Sequence, residues 1–281
     1  RLVATGQPGW ASFRPCVRSL YRPPQGDSHS SRRLRVWISQ CRMATQGVGN
    51  TVAASASTQR NEDYRLEQCV KRLKRNVSDC TQVSNKLAAV LVPLFEDESG
   101  VVKVILTKRT SKMNSHSGEV CLPGGKRDEG DKDDAATALR EANEEIGLLS
   151  SEAEVISELD PMLSKHGLSV KPVVAVVKHD FVPIPSAEEV SSVFSMPLHF
   201  FLEGGENHSH RDADWGGLAY RLHFFQHDDY TVWGLTAAIL IEVATVAFGR
   251  SPLFEVETDE VTSIGRIHLH ASGALGIRGS L

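Results

Sequence analysis

The spacing of apolar and polar positions changes several times along the chain, and each change marks an element. Leu66, Val70 and Leu73 fall at helical spacing among alternating charges, which predicts a first helix over 64–74. Residues 86–96 and 101–107 are apolar, β-branched runs split by Asp97-Glu98-Ser99-Gly100, and they predict two strands joined as a hairpin. A Ser/Asn/His loop at 111–118 and a short strand at 119–122 lead into the glycine turn Gly124-Gly125. The polar stretch that follows ends in a helix whose Ala135, Leu139, Ala142 and Ile146 share one side. Asp133 or Asp134 suits its N-cap and Gly147 its C-terminal stop.

Downstream, 154–160 and 168–178 read as strands around Lys165-His166-Gly167, and Pro172 predicts an edge position or a bulge for the second. Residues 183–185 read as a loop, 188–194 as the start of a short helix, and 204–217 as a polar loop rich in His and Gly. The apolar segment 198–202 lies between the last two, and 218–225 alternates as a strand. A turn at 227–230 opens the most apolar stretch, 232–248, which Glu242 interrupts and which is slightly short of the ~20 residues a membrane span needs. It predicts a buried amphipathic helix. The stretch 255–281 shows no convincing periodicity and reads as a tail, and no internal repeat is present.

The polar side of the helix after the glycine turn carries the first chemical signal. At 100° per residue from Leu139, Glu144, Glu141 and Glu145 fall at roughly 140°, 200° and 240°, so three carboxylates occupy one face. Such a cluster repels itself, and hard divalent cations want that set of oxygens together with substrate phosphates. Taken alone, the run reads as a solvated acidic face. The Gly-Gly turn sixteen residues ahead of Glu141 changes that reading.

Charge is divided unevenly. The net charge of −4 conceals residues 1–60, with nine Arg, no Lys and the single acid Asp27, against an acidic remainder. An acidic body argues against general nucleic-acid binding, and it must gather positive charge locally if it binds an anionic substrate. Within 1–42, Trp10, Phe13, Val17 and Leu20 follow helical spacing with Arg14, Arg18 and Arg22, a pattern that suits an organelle-targeting presequence, although Pro15 disturbs it. A leader upstream of the first methionine, Met43, is the other reading. Residues 45–59 read as linker, so the expected organisation is 1–60 presequence or leader plus disordered linker, 61–254 domain and 255–281 tail. Mitochondrial or plastid localisation follows from a true presequence, and a cytoplasmic one from a start at Met43. The ending Gly279-Ser280-Leu281 is not a peroxisomal signal. Five scattered cysteines read as reduced thiols, and Cys121 as a small buried residue rather than a nucleophile.

Arg140-Glu141-Ala142-Asn143-Glu144-Glu145-Ile146-Gly147-Leu148, set behind Gly124-Gly125, resembles the Nudix box, the signature of the Nudix hydrolase family. The loop half holds one residue more than the general pattern, so the early acid, Asp131, is out of step and receives no metal role. That form resembles the coenzyme A pyrophosphatase branch. Leu106-Thr107-Lys108-Arg109, then Gly118, then Leu122-Pro123-Gly124-Gly125 match its upstream motif in order and spacing. Thr110, Asn114 and Leu122 depart from it, with Asn114 standing where a second Arg is expected. The stretch 116–148 looks most like plant members, and the likeness covers about 86–254.

The resemblance implies an α/β fold, the Nudix α/β/α sandwich with a mixed central sheet. It implies hydrolysis of the diphosphate of coenzyme A and acyl-CoA to 3′,5′-ADP and (acyl-)4′-phosphopantetheine. Alternatives left open are a pyrophosphatase for another nucleoside diphosphate, such as NADH or ADP-ribose, and an inactive Nudix-fold binding module. It implies Mg²⁺ or Mn²⁺ held by Glu141 and Glu145, with Glu144 as ligand or water-activating base and Arg140 orienting the glutamates. Gly124 and Gly125 permit close backbone approach to phosphates. Because coenzyme A is highly anionic, Arg109, Lys126 and Arg127 are candidate steering and 3′-phosphate contacts, with exposed basic residues flanking a turn as their other reading. Glu189 is a candidate remote base, with a helix-start acid as its other reading. His116, His166, His208 and His210 have no second ligand at metal spacing and read as loop histidines. Expected partners are the small-molecule substrate and, as an open alternative, a second copy of the chain, with no nucleic acid and no membrane span.

Overall fold

Strand β1 (Leu87–Glu96) runs Leu-Ala-Ala-Val-Leu-Val-Pro-Leu-Phe-Glu, apolar on both faces, and lies within a mixed eight-stranded sheet. The structure is a computed structural model that describes residues 65–76, 78, 82–111, 118–214 and 219–258, together with the backbone of 267–270 and 274–277. The presequence and linker readings, and the loop positions Asn114 and His116, lie outside the described residues.

Helix α1 (Leu66–Arg75) precedes β1, and β2 (Val102–Arg109) returns beside it as the predicted hairpin. The two short strands β3 (Val120–Cys121) and β4 (Gly124–Lys126) come next, pairing with β2 and β1 respectively. Helix α2 (Asp134–Ile146) follows, then β5 (Ala153–Glu158), β6 (Met162–Leu163) and β7 (Ser169–Val177). β7 runs parallel to β1 through eight register pairs, from Leu87↔Ser169 to Leu94↔Val176, and the sheet's other pairings are antiparallel.

Alternation along these strands sorts the core into two layers. Ala89 and Leu91 of β1, with Val173, Ala175 and Val177 of β7, bury the face of α2 formed by Ala138, Ala142 and Ile146. Ala88, Val92 and Leu94, with Val170 and Val174, face the opposite layer, which holds Cys69 and Leu73 of α1 and the helix α3 (Gly234–Phe248). The result is the helix-sheet-helix sandwich with a mixed sheet that the family resemblance implied.

Asp133 caps α2 by accepting a hydrogen bond from the Ala136 amide at 2.7 Å, and Gly147 closes it in the left-handed region at φ 73°.

Four local expectations need correction. Pro172 does not mark an edge: β7 is an inner strand, flanked by β1 on one side and by β6 and then β5 on the other. Its carbonyl accepts the Leu159 amide, so the missing N–H faces the gap where β6 gives way to β5 and no ladder bond is lost. Residues 188–194 do not start a helix. Val190–Pro197 forms β8, which takes the open side of β2 from Lys103 to Arg109 with a bulge at Lys108/Arg109. The polar stretch 204–217 is not all loop, because β9 (His208–Asp214) pairs along β10 (Ala219–His227), where Arg221 and Asp212 face each other at 2.7 Å. Residues 232–233 belong to β11 (Tyr230–Trp233) and not to the helix, and α3 is buried around most of its circumference rather than on one stripe. In the stretch read as tail, β12 (Ile267–His270) and β13 (Ala274–Ile277) pair as a hairpin.

Candidate active site

β4 lies unusually close to its neighbours on both sides. It pairs with β1 at Val90↔Gly124 and Ala89↔Gly125. A β-carbon at position 124 would stand 2.6 Å from Val90 Cα, and one at position 125 would stand 2.5 Å from Glu141 Cδ. The first glycine therefore lets the strand lie against β1, and the second leaves room for a carboxylate of α2. Between them they leave a wall of bare backbone.

Behind that wall the three glutamates of α2 differ sharply. Glu145 is 2% exposed, with Arg109 Nη1 3.5 Å from its Oε1, while its buried Oε2 has no hydrogen-bond partner. Burial pushes the Glu145 carboxyl up to about 8, Arg109 pulls it back, and Glu189 and Glu141 add like charge. Glu141 is raised for the same first reason, burial, against the pull of Arg140. Glu144 is more than half exposed. Glu189 acts on both inner glutamates because the loop before β8 is fastened to the end of α2: the Ile184 and Ser186 amides donate to the carbonyls of Ile146 and Glu145. Among the described residues, no group of three or more His, Cys, Asp and Glu side chains is gathered ready to hold a metal.

Arg140 organises the loop between wall and helix. Its Nε and Nη2 grip both oxygens of Asp131 at 3.1 Å, Nη2 donates to the Lys126 carbonyl, and Nη1 reaches Glu141 and Glu144, each at 3.1 Å. Asp131, out of step in the box, is thus the arginine's anchor. Arg127 is bound into the same loop, donating to the carbonyls of Asp131 and Lys132. Lys126 is exposed at the end of β4.

On the other side of the glycine wall lies a cleft of about 390 Å³. Ala88, Val90, Val170 and Leu122 line it from the sheet, and Leu235 and Ile239 from α3. Its polar rim holds Arg109, Lys126, Lys165 and His166 against the single acid Glu119. The chain's acidic body thus gathers positive charge in one place. Lys165 and His166 were not singled out in this role from the sequence. The available signal was a basic pair in a Ser-Lys-His-Gly turn between two strands. Cys121 lines the cleft beside Thr107, 3.1 Å from its hydroxyl, and burial raises its thiol, so it is not an activated nucleophile.

His208 and His210 lie elsewhere. His208 Nε2 and His223 Nδ1 are 2.9 Å apart, and burial pushes His208 down to about 4. By strand alternation His223 points away from the β10 residues Tyr220 and Leu222 that line the cleft.

Residues 85–215 match the family model described as the NUDIX domain. Over 175 residues the chain is 51% identical to Nudix hydrolase 15, mitochondrial, of Arabidopsis thaliana, the match covering 60% of this chain and 61% of that protein. It is 49% identical over 175 residues to Nudix hydrolase 22, chloroplastic, of the same organism, covering 60% and 58%. With peroxisomal coenzyme A diphosphatase NUDT7 of Mus musculus it shares 38% identity over 182 residues, covering 63% of this chain and 76% of that protein. The chain therefore spans about three-fifths of the length of the two plant relatives.

Proposed function

The chain belongs to the Nudix hydrolase family, and on that premise we propose that it hydrolyses the diphosphate bond of coenzyme A and acyl-CoA. The products are 3′,5′-ADP and (acyl-)4′-phosphopantetheine. The observation that carries this reading is the juxtaposition of two sites across bare backbone. An apolar cleft with a basic rim lies on one side of Gly124-Gly125, and Glu141 and Glu145 lie on the other. Such a cleft suits a ligand that joins apolar and multiply anionic parts. The upstream motif 106–109 and the name of the mouse relative support the same substrate.

A divalent cation fits the carboxylates. Glu145 Oε2 is a buried acceptor without a donor, and both inner glutamates are held above their ordinary range by burial, which a cation offsets. Glu141 and Glu145, with Glu144 as a further ligand or as base, would hold Mg²⁺ or Mn²⁺, which supplies Lewis acidity and an activated water when bound. Arg140 holds Glu141 and Glu144 in place through its anchor on Asp131. Arg109 and Lys126 attract the substrate's phosphates, Gly124 and Gly125 let them approach the backbone, and Arg127 stiffens the loop beneath. Glu189, in electrostatic range of both inner glutamates, is the second candidate for the base.

The test is incubation of the full chain with Mg²⁺ or Mn²⁺ and coenzyme A, NADH or ADP-ribose, products being identified by mass and Glu145→Gln serving as control. Release of 3′,5′-ADP above the control supports the proposal. Cleavage of NADH or ADP-ribose alone moves the substrate to another nucleoside diphosphate, and binding without turnover makes the chain a binding module. An organellar address is proposed with it, from the Arg-rich 1–42 and the mitochondrial and chloroplastic names of the plant relatives. Identical cytosolic distributions of a full-length fusion and one starting at Met43 would remove it.

A further inference from the structure

The β6–β7 turn is built as a rigid platform. The Gly167 amide donates to the Ser164 carbonyl at 2.9 Å, the Leu168 amide to Ser164 Oγ at 3.1 Å, and the Ser164 amide to the Leu168 carbonyl at 2.8 Å. Ser84 Oγ ties the turn to the chain leading into β1 by donating to the Gly167 carbonyl at 2.7 Å. At its tip stand Lys165 and His166, both exposed and both on the cleft rim.

The cleft's cations are not equivalent. Arg109 already faces Glu145, whereas Lys126 and Lys165 have no ion pair among the described residues. Uncompensated positive charge, on the rim of a cleft in an acidic body, is complementary to a ligand anion. The two lysines also stand at one end of the sheet. Lys126 and Val170 flank Ala88 from opposite sides, two strand spacings or about 10 Å apart, and the turn closes the β6–β7 pair immediately beyond Ser169. Two anion-binding subsites a short distance apart suit a ligand whose single ribose carries two phosphate groups. Lys126 lies beside the glycine wall and the glutamates and so serves the 5′-diphosphate. Lys165 is left for the other phosphate.

We infer that the Ser164–Gly167 turn is a subsite for the ribose 3′-phosphate, with Lys165 as its principal contact and His166 beside it. The inference rests on the coenzyme A reading and gives it a physical basis for selectivity, because NADH and ADP-ribose carry no phosphate at that position.

Two measurements on the full chain test it. The first compares kcat/KM for coenzyme A and for 3′-dephospho-coenzyme A. Lys165→Gln should lower that ratio about tenfold or more, the loss of a charge-assisted contact, and Lys165→Arg should restore most of it. An unchanged ratio in Lys165→Gln, with both compounds still cleaved, overturns the subsite and leaves the proposed reaction standing. The second is calorimetric binding of 3′,5′-ADP and of 5′-AMP, which needs no turnover. The wild type should prefer the bisphosphate, and Lys165→Gln should lose about tenfold of that preference. Equal affinity of the wild type for the two nucleotides overturns the subsite. Preference for the bisphosphate in a chain that cleaves no coenzyme A keeps the subsite and rejects the reaction.

Discussion

The Glu141 carboxylate fills the space that a side chain at Gly125 would need, for a β-carbon there would stand 2.5 Å from Glu141 Cδ. The second glycine of the turn is therefore a condition for the first glutamate of the helix. Gly125→Ala should displace Glu141, cut kcat/KM by on the order of 10²-fold and destabilise by about 1–3 kcal/mol. Gly130→Ala, where an added methyl meets nothing within 4 Å, is the matched control and should leave both unchanged. Normal kinetics in Gly125→Ala would contradict the arrangement.

Glu145 makes stability depend on pH in a direction opposite to the usual carboxylate. Burial raises its folded value to about 8 from an ordinary 4.5, so the folded chain holds the proton more tightly than the unfolded one. That contribution is complete below about pH 4.5 and is lost as pH rises through 8. With chelator present, the stability advantage of Glu145→Gln over wild type, read from denaturant unfolding, should therefore grow between pH 5 and pH 8 by on the order of 1–3 kcal/mol. A constant offset would mean that Glu145 titrates normally.

Divalent cation should stabilise the wild type and not its glutamate variants. At a hundredfold excess over Kd the expected gain is about 2.7 kcal/mol, read as a rise in Tm with Mg²⁺ or Mn²⁺. Glu141→Gln and Glu145→Gln should each lose most of that rise, and chelation should abolish turnover of the wild type.

Arg140 and Asp131 should behave as one unit. The fork on Asp131, which is 7% exposed, predicts a coupling of about 1–3 kcal/mol in a double-mutant cycle of Arg140→Lys and Asp131→Asn. The hydrogen bond from Arg140 also holds the Asp131 carboxyl well below the ordinary range. Its stabilisation is present at neutral pH and disappears only as acid protonates the folded carboxylate.

Helix α2 was legible in the sequence because its signals are local: a capping Asp133, a stop at Gly147 and two faces set by helical spacing. β1 and β2 were legible as apolar runs about a Gly-containing turn. β8 was not, because Val190, Val193 and Phe194 also satisfy helical spacing and only the open side of β2 decides against it. β9 was hidden by its polarity, which its exposed position permits. In the site, one turn of helix placed three glutamates on one face, but their individual burial depends on distant partners. Arg109 reaches Glu145 from β2, Asp131 takes Arg140 from the loop, and Glu189 arrives through backbone bonds at 184 and 186. The cleft role of Lys165, and of His166, which reads in the sequence as a loop histidine, was not legible because it depends on a cleft shared with elements on either side in the chain.

The parallel pairing of β1 with β7 has a consequence in time. The two strands stand about eighty residues apart in the chain, so that loop must close before their contacts can repay it, and this slows folding. Val90 and Val170 both line the cleft, which therefore has no floor until closure is complete. A chain in which β1 and β7 have not yet paired lacks the paired strands that carry Ala88, Val90 and Val170 to the cleft.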